Sequence, residues 1–130
     1  MEPKQNEPTG LRPEGGRTLD APLVSVDLNK FADVLKDEKT WKTSDRNAIT
    51  VYKTKGMRIV LIALHQGATI AEHKADEGVI SIQVLEGKIR FVSEAGTAEI
   101  EAGNLATLHK GLRHSVHAME KSVFLLTIGA

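Results

Sequence analysis

Two histidines, His73 and His114, are the side chains of this 130-residue chain best suited to carry chemistry. A neutral imidazole offers one N–H donor and one lone pair, so a pair of them can hold a divalent metal, act as a general base, or hydrogen-bond a ligand. The chain has no cysteine, which excludes thiol nucleophiles and disulfide bonds. The residues spaced around the two histidines decide among these possibilities.

The first histidine lies in a segment with a characteristic spacing. This segment runs from Gly67 through His73 to Gly87 and resembles the first cupin motif, G-x5-H-x-H-x4-E-x6-G. Ala75 stands at the second histidine of that motif, and Ile80 stands at its glutamate. The glycines and the first histidine therefore match, while the positions of the second histidine and the glutamate differ.

The second histidine lies in a segment similar to the other cupin motif, G-x5-P-x-G-x2-H-x3-N. Gly103, Gly111 and His114 match this motif. His109 stands at its proline and Ala118 at its asparagine. The two segments follow each other in the order and at the separation typical of small single-domain cupins.

The resemblance implies a fold and part of a metal site. It covers residues 45–130 and implies an all-β fold, the cupin double-stranded β-helix, which is a jelly-roll-like barrel. In this family two histidines and a glutamate of the first motif, with a histidine of the second, hold a divalent metal inside the barrel. His73 and His114 match that set, whereas Ala75 has no donor atom and Ile80 carries a hydrocarbon. Open catalytic metal sites usually keep about three protein ligands, so we expect His73 and His114 to hold zinc, manganese, iron or nickel at most weakly.

Three interpretations of the histidine pair stay open from the sequence. The two rings are neutral side chains satisfied by hydrogen bonds, or they hold a metal with help from another ligand, or one of them acts as a general base without metal. We expect the remaining histidines, His65, His109 and His117, at the surface or in turns, and His117 is expected to face out of the barrel. Glu77 precedes a glycine and is expected to be a solvated charge.

The strand after the first motif predicts the lining of the barrel. If Ile80 faces inward, as its motif position implies, Ile82 and Val84 face inward as well, because side chains alternate along a strand. An apolar wall beside two imidazoles suits a small, partly apolar ligand with one or two polar atoms. We therefore predict a ligand site at His73, Ile80, Ile82 and His114. The alternative is that the isoleucines only fill the barrel.

From residue 48 onward apolar residues recur with a period of two between glycines, which predicts short strands. The run Ile59 to Leu64 is apolar on both faces, so it must be covered outside the barrel as well as inside. An N-terminal helix, the segment Leu23 to Val26, or a second subunit can supply this cover, and we expect a homodimer. The predicted strands are 48–53, 57–65, 79–86, 88–93, 97–101, 104–109, 114–119 and 122–128.

The chain before the barrel is predicted to contain an arm, a strand and a helix. Proline, glycine and charged residues dominate its beginning, which predicts a flexible arm. Leu23 to Val26 is predicted to form an edge strand, and 28–38 an amphipathic helix capped by Asp27. Trp41 is expected to pack against the barrel or a neighbouring subunit. The predicted divisions are the arm at 1–18, the strand and helix packing on the barrel at 19–44, and the barrel at 45–130.

Composition excludes several classes of partner. Seventeen basic and seventeen acidic residues give a formal net charge of zero, so no basic face for nucleic acid is expected. The N-terminus lacks an apolar signal core, and no run reaches the roughly 20 apolar residues that span a bilayer, so we expect a cytoplasmic protein without a membrane partner. The expected function is the binding of a small organic ligand in the barrel. The alternative is a metal-dependent dioxygenase or isomerase that uses His73 and His114.

Overall fold

The computed structural model describes residues 4–6, 17–74 and 78–129. Strands predominate in these ranges, and two helices precede the main strands. The prediction of an all-β fold with a short N-terminal helix is confirmed. The elements in chain order are β1 (Lys4–Asn6), β2 (Arg17–Asp20), α1 (Leu28–Asp37), α2 (Lys39–Thr43), β3 (Arg46–Thr54), β4 (Met57–Leu64), β5 (Thr69–Lys74), β6 (Val79–Glu86), β7 (Lys88–Ser93), β8 (Gly96–Glu101), β9 (Leu105–Leu108), β10 (Arg113–Ala118) and β11 (Ser122–Gly129).

Two antiparallel sheets form the barrel. One has four strands in the order β5-β10-β7-β8, and the other has five in the order β3-β4-β11-β6-β9. Apolar side chains from both sheets pack between them, and we call this cluster the barrel core. Its buried members are Leu64, Ala68, Ile80, Ile82, Val84, Ile89, Phe91, Ile100, Leu108, Val116, Ala118 and Phe124.

A second apolar cluster, which we call the outer core, lies between the helices and the other face of the five-stranded sheet. On β4, Leu61 and Ala63 belong to the outer core, whereas Leu64 belongs to the barrel core. The run Ile59 to Leu64 is therefore covered on both faces, as predicted, and the helices supply the outer cover. The buried members of the outer core are Ala32, Leu35, Trp41, Ile49, Val51, Leu61, Ala63 and Val123.

Helix α1 is held at its beginning by a cap and along its length by the sheet. The Asp27 carboxylate accepts a hydrogen bond from the backbone N–H of Lys30 at 3.1 Å, which satisfies one of the free donors of the first turn. Leu35 is fully buried in the outer core. The side-chain amide of Asn47 on β3 donates to the Leu35 carbonyl at 3.0 Å and to the Glu38 carboxylate at 2.9 Å. The predicted helix 28–38 thus agrees with α1 to within one residue.

The connections around α1 differ from the prediction. Residues 23–27 form no strand, and the strand in this region is β2 instead. Leu23 is exposed, whereas Val26 packs against the outer core, so the apolar pattern reflects packing rather than strand pairing. Trp41 lies in α2 rather than in an irregular connection, and its burial confirms that it packs against the barrel.

Several predictions fall partly or wholly outside the described residues. Most of the arm predicted at 1–18 does so, and within the described part β1 pairs with β2 in antiparallel register. Ala75 and Glu77 also lie outside. In the part of the chain that the structure describes, the helices are too short to cross a bilayer.

Candidate functional site

His73 and His114 lie on neighbouring strands, β5 and β10, in directly paired positions. Residues paired in this way in antiparallel strands project from the same face of the sheet. Their ring centroids are 4.1 Å apart, and the rings meet edge to face at 63°. The structure therefore brings together the two histidines that the sequence predicts as a site. We call the end of the barrel where they lie the histidine end.

Both imidazole rings are oriented by the backbone in the same way. Nδ1 of His73 lies 3.0 Å from the carbonyl oxygen of Ala71, and Nδ1 of His114 lies 3.2 Å from that of Leu112. A carbonyl oxygen can only accept, so Nδ1 of each neutral ring must carry the proton. The lone pair of each ring is consequently on Nε2. Two Nε2 acceptors are thus held on neighbouring rings.

The two histidines differ in their exposure to solvent. His114 is only 4% exposed, whereas His73 is accessible. Burial lowers the pKa of His114 below its ordinary value, and the positive charge of a protonated His73 lowers it further, while the bond to the Leu112 carbonyl acts in the opposite direction. His114 is therefore neutral at pH 7, and its Nε2 lone pair is available to a ligand. Access from solvent is on the His73 side.

The barrel core reaches His114 through Phe91. Ile80 and Ile82 are 4% and 2% exposed and belong to the barrel core, so both face inward, as predicted. The ring of Phe91 lies 5.6 Å from that of His114, centroid to centroid. Phe91 was not predicted as a site residue; it lies two positions after the buried Ile89 on β7, so the two share the inward face. Phe91, a member of the barrel core, thus lies beside His114.

The described residues supply an incomplete set of metal ligands. His73 and His114 offer two imidazole nitrogens, and Ile80 offers none. Across 17–74 and 78–129 there is no cluster of three or more histidine, cysteine, aspartate or glutamate side chains that could hold a metal ion. A metal at this pair must take its remaining ligands from solvent, from a bound molecule or from elsewhere in the chain.

The remaining histidines have other surroundings. His117 on β10 lies 3.2 Å from the Thr69 hydroxyl through Nδ1 and 3.1 Å from the Ser115 hydroxyl through Nε2. The ring of His65 stacks on Trp41 at 3.5 Å between centroids, and its Nε2 donates to the Trp41 carbonyl at 2.9 Å. His109 is exposed after the end of β9. His73 and His114 are thus the two that face each other.

Comparison with known proteins gives matches among solved structures. No protein-family model matches the sequence, and no curated protein does. A mutant of salicylate 1,2-dioxygenase from Pseudoaminobacter salicylatoxidans superposes with a TM-score of 0.72 and 18% identity, over 92% of this chain and 39% of that chain. A cupin-2 domain protein from Shewanella frigidimarina gives a TM-score of 0.65 and 12% identity, over 81% of this chain and 94% of that chain.

A third match names the architecture. It is an RmlC-like cupin family protein with a double-stranded β-helix fold from Methanocaldococcus jannaschii, with a TM-score of 0.59 and 12% identity, over 68% of this chain and 84% of that chain. Identities of this size establish a shared fold and leave the activity open. The fold predicted from the two motifs is confirmed: this chain has the double-stranded β-helix fold of the cupin structures that it matches.

Proposed function

We propose that this protein binds a small organic molecule at the histidine end of its barrel. The observation that carries the proposal is the common orientation of His73 and His114. Each ring donates its Nδ1–H to a backbone carbonyl, so the two Nε2 atoms remain as acceptors, and Phe91 of the barrel core lies beside His114. A ligand that fits has an apolar body and an O–H or N–H group that donates to these nitrogens.

Nuclear magnetic resonance of the five histidine side chains tests this proposal directly. Small hydroxylated aromatic and aliphatic compounds are titrated into the protein at millimolar concentration. We expect at least one class to shift the His73 and His114 signals and to leave that of the exposed His109 in place. His73→Ala should abolish the effect, and His109→Ala should preserve it. A set in which no compound moves either signal would overturn the proposal.

A metal-dependent activity of the dioxygenase or isomerase type is the second candidate. The favouring observation is again the position of the ring protons, because a metal-binding histidine normally donates the N–H of its other ring nitrogen to a carbonyl or carboxylate. The bound metal would polarise a substrate oxygen or activate dioxygen. Two imidazoles are its candidate ligands within the described residues, so we expect weak affinity.

Metal titration distinguishes the two candidates. Zinc, manganese, iron(II) and nickel are added to metal-stripped wild type, to His73→Ala and to the Ala75→His/Ile80→Glu double variant. We expect weak binding in the wild type, none at this site in His73→Ala and tighter binding in the double variant. The new carboxylate costs several kcal/mol of stability when no metal is bound to it. Binding of one metal per wild-type chain at submicromolar concentration would favour the metal-dependent activity, provided that His73→Ala abolishes this binding.

The predicted homodimer is kept as part of the proposal, on a different surface. The helices cover the outer face of β4, so the apolar side chains that remain for a partner are exposed ones such as Val79 on β6 and Leu105 on β9. We expect light scattering at micromolar concentration to give about twice the chain mass of 14.1 kDa. Leu105→Asp should reduce that mass to one chain, and Leu23→Asp, a change at an exposed leucine elsewhere, should not. A monomeric wild type would contradict the prediction.

A further inference from the structure

We propose that the ligand of the histidine end carries a carboxylate, and that Arg58 and Lys53 hold it. This inference rests on the proposed binding function and adds the chemical class of the ligand. The expected molecule has a carboxylate at one end, an apolar body, and an O–H or N–H group that reaches His73 and His114. Neither basic residue belongs to the two cupin-like segments.

The strand register places Arg58 on the inner face of the five-stranded sheet. Arg58 on β4 pairs with Ile128 on β11, Ile128 pairs with Ile80 on β6, and Ile80 pairs with Leu108 on β9. Directly paired residues project from the same face of an antiparallel sheet. Ile80 and Leu108 are buried in the barrel core, and Ile128 packs against it. Arg58 therefore projects from the barrel side, in one row with them.

The alternation along β4 supports the same placement. Leu61 lies in the outer core, while Ile62 and Leu64 pack in or against the barrel core. Even-numbered positions of this strand thus face the barrel, and Arg58 is one of them. Lys53 on β3 pairs with Arg58 beyond an irregularity between Thr50 and Tyr52, so it shares that face. The two cations stand side by side.

The order and direction of the strands indicate that both cations lie toward the same end of the barrel as the two histidines. Ile80, in the row of Arg58, is near the beginning of β6, and His73 is near the end of β5, which directly precedes β6 in the chain. At the opposite end, the Arg46 guanidinium at the beginning of β3 donates to the Thr69 carbonyl at the beginning of β5, at 2.8 Å. Strands β3 and β5 therefore extend together toward the histidine end.

The charges around the histidine end leave these two cations available. Among the described residues, Glu72 and Glu94 pair with Arg113, whereas neither Lys53 nor Arg58 takes part in an ion pair. Both side chains are exposed and, with Lys55 and Ile128, line a hollow of about 210 Å³ at the turn between β3 and β4. A guanidinium offers two parallel donors that match the two oxygens of a carboxylate, and an adjacent ammonium adds charge. An anionic group is thus the polar partner that Lys53 and Arg58 are suited to bind.

The test compares two probes that differ only in charge, 4-hydroxybenzoate and 4-hydroxybenzamide, on the full chain. Binding is followed through the His73 and His114 signals. We expect the wild type to bind the acid about tenfold more tightly than the amide, in line with a charge-assisted hydrogen bond, and added salt to reduce the difference. Arg58→Gln should remove the preference by weakening the acid alone. Lys53→Gln should reduce it, and Arg58→Lys should retain part of it.

A matched control separates the site from general charge effects. Lys39→Gln removes an exposed cation on α2, outside the barrel, and should leave the preference unchanged. If both probes shift the histidine signals with equal affinity, the binding function stands and the carboxylate inference is wrong. The inference is also wrong if Arg58→Gln and Lys39→Gln reduce the affinity for the acid equally. If neither probe shifts the signals, the acid is not a ligand and both proposals fail for this class of compound.

Discussion

At the scale of single residues, His114 couples protonation to folding. Burial lowers its pKa in the folded state, whereas the unfolded chain titrates near the ordinary value of about 6.5. The unfolded state therefore binds more protons as the pH falls below that value. The stability that the neutral ring contributes is fully present above pH 6.5 and is lost as the pH falls toward the folded pKa.

We expect the melting temperature of the wild type to decrease as the pH is lowered from about 7.5 to about 5.5, and to decrease less in His114→Phe. Phenylalanine keeps a buried ring beside Phe91 but removes the titrating group. His109→Gln, at an exposed site, should keep the wild-type slope. Equal slopes in the wild type and in His114→Phe would show that another group causes the dependence.

Gly87 and Gly67 form a matched pair for separating backbone strain from steric collision. Both have positive φ, +79° and +85°. A side chain at Gly87 would collide with the Lys121 carbonyl oxygen and the Ser122 hydroxyl, whereas a side chain at Gly67 would meet open space. Gly67→Ala should cost about 1–2 kcal/mol of unfolding free energy, and Gly87→Ala about 3 kcal/mol or more. Chemical denaturation measures both, and equal costs would mean that the turn before β7 relaxes freely.

At the scale of elements, β5 shows what the sequence leaves open. The other strands of the barrel were predicted from their alternation, but β5 was not among them. The last three residues of Thr69–Lys74 are polar, and of these His73 faces His114 while Glu72 pairs with Arg113. Apolar periodicity reports burial, so it fades in a strand whose second half carries polar side chains.

The candidate site shows the same limit. Motif spacing and parity were enough to predict that His73 and His114 meet, and that Ile80 and Ile82 line the barrel. The ring tautomers follow from bonds to nearby carbonyls, which composition does not encode. The placement of Arg58 depends on the pairing of β4 with β11, strands far apart in the chain. Long-range register is set by the folded sheets as a whole.

The cap of α1 is the element-scale feature that is simplest to test. Asp27→Ala removes the carboxylate that accepts from Lys30 N–H, and we expect a loss of about 1 kcal/mol of unfolding free energy. Asp33→Ala provides the control, because Asp33 is an exposed aspartate in the same helix and does not cap it. Urea denaturation of both variants gives the comparison. Equal losses would mean that the net charge of the helix, rather than the cap, sets its stability.

At the scale of the whole molecule, two adjacent strands join the two cores. On β4, Leu61 lies in the outer core and Leu64 in the barrel core. On β11, Val123 lies in the outer core and Phe124 in the barrel core. All four are essentially inaccessible to solvent. Loss of the helices would expose one face of these strands, so neither core is expected to persist alone.

We therefore predict one cooperative unfolding transition for the helices and the barrel. Trp41 is the single tryptophan and lies in the outer core, so its fluorescence reports the helix layer, while far-UV circular dichroism reports the sheets. The two midpoints should coincide. Leu35→Ala should lower both midpoints equally, because it leaves a cavity between α1 and the sheet. The expected loss of unfolding free energy is about 2–5 kcal/mol. Earlier loss of tryptophan fluorescence in this variant, with the sheet signal intact, would instead show that the barrel core is stable without its helical cover, and that α1 and α2 can open independently of the histidine end.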